Sequence, residues 1–215
     1  MNTDLVTQVR THRIIVALRG VCAERTEAAA QALYAGGIRM LEITFNQSDP
    51  DTLAKTTASI QAVRAALGEK LLVGAGTVLT AAQARAAVEA GAQYLLSPNL
   101  DLEVMEQAHS LGVAMLAGAM TPSEVALAWK AGAALVKLFP ADSLGLPYIK
   151  ALCAPLSHIP LLPMGGVSSQ NLLEFLAHPS VAGVGVGSSI AKASLIQAGD
   201  FDAIRELARE FTRQL

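Results

Sequence analysis

Eight short apolar segments recur along this chain, each separated from the next by a longer stretch in which alanine is frequent. Each segment is too short for a helix, shows no polar alternation and is bounded by Gly, Pro, Ser or Asn, as is typical of parallel strands buried on both faces. The segments are Ile14–Leu18, Met40–Thr44, Leu71–Ala75, Tyr94–Ser97, Val113–Ala117, Leu135–Phe139, Ile159–Met164 and Gly183–Val186. This pattern predicts an α/β protein built on a parallel sheet.

The stretches between these segments predict helices, because their apolar residues are spaced three or four positions apart. The predicted helices are Glu27–Tyr34, Thr52–Leu67, Ala81–Ala90, Leu102–Leu111, Pro122–Lys130, Gln170–Ala177 and Phe201–Gln214. Thr121, followed by a proline and an acidic residue, has the pattern of a helix N-terminus. Four helices are expected to end at a glycine before the next strand, at Gly36, Gly91, Gly112 and Gly132.

Eight strands alternating with about eight helices in 215 residues favour a (β/α)₈ TIM barrel with an extra helix at the N-terminus. A chain of this length is expected to form one domain, here residues 1–215. An open doubly wound sheet is the alternative fold. It is less favoured because the first strand is not followed by the Gly-x-Gly-x-x-Gly pattern of a dinucleotide site.

Charge and composition limit the kinds of molecule and the cellular setting with which this chain is expected to be associated. The net charge is -2, and no cluster of Lys and Arg suggests a nucleic-acid partner. No apolar stretch approaches the roughly 18 residues that span a membrane. The N-terminus lacks the pattern of a secretory signal, and Cys22 and Cys153 have neither disulfide-framework nor metal-ligand spacing. We therefore expect a soluble cytoplasmic protein with free thiols and no metal.

Lys137 is the residue with the clearest chemical implication, because it interrupts the apolar segment Leu135–Phe139. Desolvation disfavours an ammonium group, so a lysine buried there has a lowered pKa and a larger fraction of neutral amine. A neutral amine is the nucleophile that forms a Schiff base with a ketone. The alternative is a lysine at a strand end whose amine reaches solvent or pairs with an acid.

Glu42 lies between Leu41 and Ile43 in the second segment, where a carboxyl group is also expected to be desolvated. A buried carboxyl group next to a nucleophilic amine is suited to proton transfer during imine chemistry. The alternative role is a structural ion pair with Lys137 or Arg19, which would not exclude catalysis.

Other polar residues follow the predicted strands at the end where the loops of a barrel carry the active site. They include Arg19, Asn46 and Thr77, with Pro98 in the segment Ser97–Asn99, and the glycine pair Gly165-Gly166 and Ser188 after the last two strands. Glycines there let backbone N–H groups approach an anion such as phosphate, and a following helix N-terminus would add a favourable dipole. Plain tight turns are the alternative explanation.

Six motifs appear in order along the chain: Val16–Gly20, Leu41–Thr44, Val73–Val78, Ser97–Asn99, Val136–Ala141 and Met164–Val167. Together they resemble the 2-keto-3-deoxy-6-phosphogluconate aldolase family, which includes 6-phosphogalactonate aldolases and 4-hydroxy-2-oxoglutarate aldolases. The resemblance covers nearly the whole chain. It implies a (β/α)₈ barrel, a homotrimer, and a metal-independent class I aldolase without a cofactor, whose partners are pyruvate and a phosphorylated keto acid.

The resemblance also assigns roles to individual residues. Lys137 matches the Schiff-base lysine and Glu42 the general acid/base, while Thr77 and Pro98 match positions around the pyruvyl group. Arg19 matches an active-site arginine of the phosphogalactonate-type members, and Phe139 is expected to bind the substrate. Gly165, Gly166 and Ser188 match the phosphate-binding positions. Two positions that bear on specificity depart from the pattern. Asn46 stands where phosphogluconate enzymes often have an arginine, and Met164 stands where better-known members have threonine or valine.

The expected activity is reversible cleavage of a 2-keto-3-deoxy-6-phospho sugar acid, of the phosphogluconate or phosphogalactonate type, to pyruvate and D-glyceraldehyde 3-phosphate. A 4-hydroxy-2-oxoglutarate aldolase is an alternative within the family. Outside it, the alternatives are a phosphate-binding isomerase or epimerase with Glu42 as base, and a non-catalytic binding barrel.

Overall fold

The computed structural model describes residues 2–143 and 145–215, in which parallel strands alternate with helices. The strands are β1 (Ile14–Arg19), β2 (Met40–Thr44), β3 (Leu72–Gly76), β4 (Tyr94–Leu96), β5 (Ala114–Ala119), β6 (Leu135–Leu138), β7 (Leu161–Pro163) and β8 (Val184–Val186). The helices are α1 (Asn2–His12), α2 (Ala23–Ala35), α3 (Thr52–Leu67), α4 (Ala81–Glu89), α5 (Leu102–Ser110), α6 (Pro122–Lys130), α7 (Gly145–Leu156), α8 (Leu172–Leu176), α9 (Ala193–Ala198) and α10 (Phe201–Thr212). A 3₁₀ helix covers Gly68–Lys70.

The strands form one parallel sheet in the order β7-β6-β5-β4-β3-β2-β1-β8. Its two ends meet through parallel bridges that join Leu161 to Val181 and Met164 to Gly185. The Leu161 N–H also donates to the Ser180 carbonyl at 2.7 Å. The sheet therefore closes on itself, which confirms the (β/α)₈ barrel with α1 as the extra N-terminal helix. The open doubly wound alternative is wrong.

The core has two layers because successive side chains of each strand point to opposite faces. Outward residues such as Val16 and Leu41 pack beneath the surrounding helices. The interior cluster includes Ile15, Met40 and Leu135, together with Val9 of α1. Because these interior residues lie near the starts of their strands, α1 covers the N-terminal end of the barrel. The carboxyl ends of the strands are left for a functional site.

Local sequence signals account for most helix boundaries. Helices α3 and α6 have the predicted bounds, and α6 begins with a capping box in which Thr121 and Glu124 satisfy each other's backbone N–H groups. Glycines after α4, α5 and α6 adopt positive φ angles, as a turn back into the next strand requires. After α2 that conformation is taken by Gly37 rather than by Gly36.

Four elements around the last three strands differ from the prediction. Helices α7 and α9 were not predicted, because α7 contains Pro147 and Pro155 and α9 has only six residues. Helix α8 spans five residues, fewer than the predicted Gln170–Ala177. Strand β7 begins at Leu161 because Pro160 has no N–H to donate to a neighbouring strand. None of the described helices is long and apolar enough to cross a membrane.

Candidate active site

Strand alternation brings Glu42 and Lys137 into the barrel interior. Met40 and Leu135 belong to the interior cluster, so the residues two positions further along β2 and β6 share the same face. Glu42 is 0% and Lys137 is 1% exposed. Lys137 therefore does not reach solvent, which removes the alternative of a strand-end lysine whose amine extends to water.

The surroundings of Lys137 favour the neutral amine. Burial lowers its pKa most strongly, the Glu42 carboxylate opposes that shift, and the Arg19 guanidinium reinforces it. The Lys137 Nζ also lies 5.2 Å from the centroid of the Phe139 ring. Together these contacts hold the amine in a mostly apolar environment, with the Glu42 carboxylate near enough to influence its charge.

The Glu42 carboxylate is buried, and neither of its oxygens accepts a hydrogen bond from any described residue. The ion pair with Lys137 or Arg19 considered from the sequence is therefore not formed as a hydrogen-bonded contact. A buried carboxylate without a partner is rare in folded proteins because of its desolvation cost. Such groups are found where a ligand or a reaction requires them.

Glycines on the inward faces of the strands make room for the larger side chains. A Cβ atom at Gly76 would lie 2.5 Å from Glu42 Oε1. Similarly, a Cβ at Gly74 would overlap the Tyr94 ring, and one at Gly185 would overlap Met164. The apolar spacing that predicts a strand does not reveal that these glycines leave space for large side chains of neighbouring strands.

Tyr94 belongs to the site but was predicted only as part of a strand. Its side chain is fully buried inside the barrel, and its hydroxyl donates to the Leu41 carbonyl at 2.8 Å. Burial, and next the Glu42 charge, raise the pKa of Tyr94 well above its usual value, so the phenol stays protonated. A tyrosine in an otherwise aliphatic strand is the sequence signal that points to such a buried polar role.

Three of the residues predicted to bind substrate, Arg19, Thr77 and Pro98, lie at the carboxyl ends of the strands. Arg19 ends β1 with an exposed side chain. Thr77 follows β3 directly and has a φ angle of 56°. Pro98 follows β4, and its carbonyl is so close to Gly118 of β5 that a Cβ there would collide with it. The structure therefore gathers these three positions on one rim.

The two positions expected to bear on specificity have different surroundings. Asn46 is exposed after β2, and its Oδ1 accepts from the backbone N–H and the hydroxyl of Ser48. Its side chain is thus engaged by its own loop. Met164 is 3% exposed and packs against Gly185 inside the barrel. Because Leu162 of β7 pairs with Lys137, Met164 lies on the same inner face, two residues further toward the carboxyl ends of the strands.

The loops after β7 and β8 are adjacent, because the Ser189 hydroxyl donates to the Val167 carbonyl at 2.8 Å. The backbone N–H groups of Gly166 and Ser188 donate no hydrogen bond within the described residues. However, α8 and α9 begin several residues beyond these positions, so the expected helix N-terminus is not adjacent to them. Any anion here would be held by loop N–H groups.

A separate cavity of about 460 Å³ lies between α2 and α3. It reaches the rim at Thr44 and Asn46 and is also lined by Cys22, Ser59 and Lys55. Neither Lys137 nor Glu42 lines it, so it is not the place where these two groups would meet a ligand.

The KDPG and KHG aldolase family model matches residues 5–207. This chain belongs to that family. It is therefore an aldolase and a lyase, as expected from the motifs, and not one of the isomerase or binding-barrel alternatives. The assignment agrees with a buried lysine and carboxyl group at the centre of a closed barrel.

Individual relatives support the assignment. The 2-dehydro-3-deoxy-phosphogluconate aldolase of Treponema pallidum is 39% identical over 88% of this chain and 89% of its own. The 2-dehydro-3-deoxy-6-phosphogalactonate aldolase of Escherichia coli is 35% identical over 84% of this chain and 85% of its own. The KDPG aldolase of Legionella pneumophila, solved with pyruvate captured as a covalent carbinolamine, has a TM-score of 0.85. It is 29% identical and covers 95% of this chain and 96% of its own.

The charges around Lys137 predict how the aldolase responds to pH. Arg19→Gln removes a cation that lowers the pKa of Lys137, so the midpoint of the adduct-formation profile should move to higher pH. At pH 7 the rate at saturating pyruvate is expected to fall a few-fold, and less at high salt because Arg19 is exposed. Borohydride trapping with pyruvate across a pH series measures this profile. Arg85→Gln, on the exposed face of α4, is the control, and a midpoint moved to lower pH would contradict the assignment.

Proposed function

We propose that this aldolase cleaves a 2-keto-3-deoxy-6-phospho sugar acid through a Schiff base on Lys137, releasing pyruvate and D-glyceraldehyde 3-phosphate. The observation that carries the proposal is the pairing, inside one barrel, of an amine whose pKa is lowered by burial with a buried carboxylate that accepts no hydrogen bond from any described residue. The relatives named above act on substrates of this type.

The reaction begins when the neutral Lys137 amine attacks the C2 ketone. Loss of water from the resulting carbinolamine gives an iminium, which withdraws electrons from the C3–C4 bond. Burial helps this step because it lowers the pKa of Lys137 and excludes competing water. Phe139, with its ring 5.2 Å from Nζ, forms part of the apolar wall.

Glu42 moves the protons that these steps require. As a base it accepts the proton of the C4 hydroxyl while the C3–C4 bond breaks, and the electron pair enters the iminium to give an enamine. The aldehyde then leaves. Glu42 returns a proton to C3, and hydrolysis of the iminium releases pyruvate and restores the amine. Both Glu42 oxygens are free to make these contacts within the described residues.

The pyruvate carboxylate would be bound by the rim formed by Arg19, Thr77 and Pro98. Asn46 replaces the arginine expected in many phosphogluconate enzymes, and its carbonyl oxygen is already bonded to Ser48. We therefore assign charge compensation to Arg19 and hydrogen bonding to the Thr77 hydroxyl.

The phosphate group would be held by Gly165, Gly166 and Ser188. The unengaged N–H groups of Gly166 and Ser188 on adjacent loops are suited to an anion. Met164, on the inner face between Lys137 and these loops, would contact the middle of the sugar chain and thus influence its stereochemistry.

The test combines trapping with substrate comparison. Borohydride with pyruvate should give an adduct that peptide mass analysis places on Lys137. Cleavage rates should then be compared for the phosphogluconate and phosphogalactonate substrates and for 4-hydroxy-2-oxoglutarate. An adduct with faster cleavage of a phosphorylated substrate supports the proposal. No adduct on folded protein would contradict the Schiff base, and equal rates with the unphosphorylated acid would contradict the phosphate site.

Three further expectations remain proposals. They are the homotrimer implied by the family resemblance, the cytoplasmic location, and the single domain over residues 1–215. The mass of the protein in solution tests the first, since a trimer has three times the mass of the chain.

A further inference from the structure

Thr77 adopts a backbone conformation that its side chain disfavours. Its φ angle of 56° lies in the left-handed region, which β-branched residues rarely occupy. Among the described residues other than glycine, only Arg13 shares a positive φ. A residue remains in such a conformation only where the surrounding structure holds it there.

Two glutamine side chains link Thr77 to the neighbouring loop. Gln47 Nε2 donates to the Thr77 carbonyl at 2.9 Å, and Gln83 Nε2 donates to Gln47 Oε1 at 3.0 Å. Gln83 is itself fixed, because its Oε1 accepts from the Leu79 N–H at 2.8 Å and its side chain is 7% exposed. The two glutamines therefore form a continuous relay from the first turn of α4 to the Thr77 carbonyl.

The relay joins the two loops that surround the proposed carboxylate site. Gln47 follows β2, the strand that carries Glu42, and Thr77 follows β3. These strands are already in close contact, because Gly76 lies directly against the Glu42 carboxylate. The hydroxyl of Thr77 makes no hydrogen bond within the described residues, and the left-handed backbone sets the direction of the Cα–Cβ bond that carries it.

We propose that Gln47, anchored by Gln83, is a positioning residue that holds Thr77 in its left-handed conformation and so directs the Thr77 hydroxyl toward the pyruvate carboxylate. The proposal rests on the proposed function, because it assumes that pyruvate binds at Thr77. Gln47 does not touch the reacting atoms. Its loss should therefore weaken pyruvate binding without altering the chemistry at Lys137.

The main variant is Gln47→Met, which keeps the side-chain length but removes both hydrogen bonds. The pyruvate concentration that half-saturates borohydride trapping is expected to rise roughly tenfold, or about 1.4 kcal/mol. The fraction trapped at saturating pyruvate should stay within about twofold of the unaltered protein. Gln61→Met makes the same change on the exposed face of α3 and should alter neither quantity. The Tm of each variant shows whether folding is affected.

A second comparison tests whether Gln47 acts through Thr77. Asparagine accepts the left-handed conformation more readily than threonine. In a Thr77→Asn background, Gln47→Met should therefore raise the half-saturating concentration less than threefold. A tenfold rise in the half-saturating concentration in that background would overturn the proposal that Gln47 acts through Thr77.

The outcomes separate this inference from the proposed function. An adduct on the unaltered protein, with the same half-saturating concentration in Gln47→Met and Gln61→Met, would overturn the relay alone. A fall in Tm together with a fall in the saturated trapped fraction would show that Gln47 is merely structural. No adduct on the unaltered protein would contradict the proposed function. It would also contradict the role of the relay, because that role assumes that pyruvate binds at Thr77.

Discussion

Lys137→Met is expected to abolish aldol cleavage, with kcat lowered by roughly 10⁴-fold or more, because every other lysine of the chain is exposed and outside the barrel interior. The same change should stabilise the fold. Lys137 is 1% exposed and its amine is desolvated, whereas a methionine fills similar space without a polar group. We expect a gain of about 1–2 kcal/mol at neutral pH, or a few degrees in Tm.

The stability gain should depend on pH in a defined direction. Burial places the pKa of Lys137 in the folded protein below its ordinary value of 10.5. Between these two pKa values the unfolded chain binds more protons than the folded one, so the unaltered protein becomes more stable as pH rises. The advantage of Lys137→Met should therefore shrink as pH approaches 10.5, the ordinary value.

Kinetic assays and thermal unfolding from pH 7 to 10 measure the two effects together. Lys70→Met removes a lysine from the exposed 3₁₀ helix and should leave both activity and stability nearly unchanged. Measurable cleavage by Lys137→Met, or a loss of stability in it, would contradict the role assigned to the buried amine.

Glu42→Gln is expected to lower kcat for cleavage by about 10²- to 10⁴-fold, the range for loss of a general acid/base. The amine of Lys137 remains, so a pyruvate adduct should still be trapped. Loss of the negative charge also removes an influence that raises the pKa of Lys137. The pH profile of trapping should therefore move to lower pH, opposite to the effect of Arg19→Gln.

Rapid-quench cleavage assays and borohydride trapping separate the two steps for this variant. Glu89→Gln, at the exposed end of α4, is the matched control and should behave like the unaltered protein. A Glu42→Gln variant that cleaves substrate at the normal rate would show that another group transfers the proton.

The positions of most strands and helices were predictable because they depend on local patterns. Helix α6 is an example, since Thr121, Pro122 and Glu124 define its start through contacts within a single turn. Strands such as β5 were recognisable because both of their faces are buried, which leaves a continuous apolar segment. Helix α7 was missed because its prolines argue against a helix locally, and packing of Ile149 and Leu152 in the core outweighs them.

The two central residues of the candidate site were singled out from the sequence, but their contacts were not predictable. Lys137 and Glu42 were identified because a charged side chain in an apolar strand is anomalous within a few residues of sequence. Nothing local indicated that Glu42 has no hydrogen-bond partner among the described residues, or that the hydroxyl of Tyr94 in β4 donates to the Leu41 carbonyl in β2. The role of Gln47 was also invisible, because glutamine in a polar loop is ordinary.

By itself, the sequence determined the alternation of strands and helices and the presence of a buried amine and carboxyl group, since these follow from the period and polarity of neighbouring residues. Only the tertiary structure decided that the sheet closes, that Gly76 lies against Glu42, and that Gln83 reaches Thr77 through Gln47. The physical reason is sequence separation. These contacts join residues many positions apart, and strand pairing, of β7 with β8 at the closure and of β2 with β3 in the site, brings them within hydrogen-bonding or van der Waals distance.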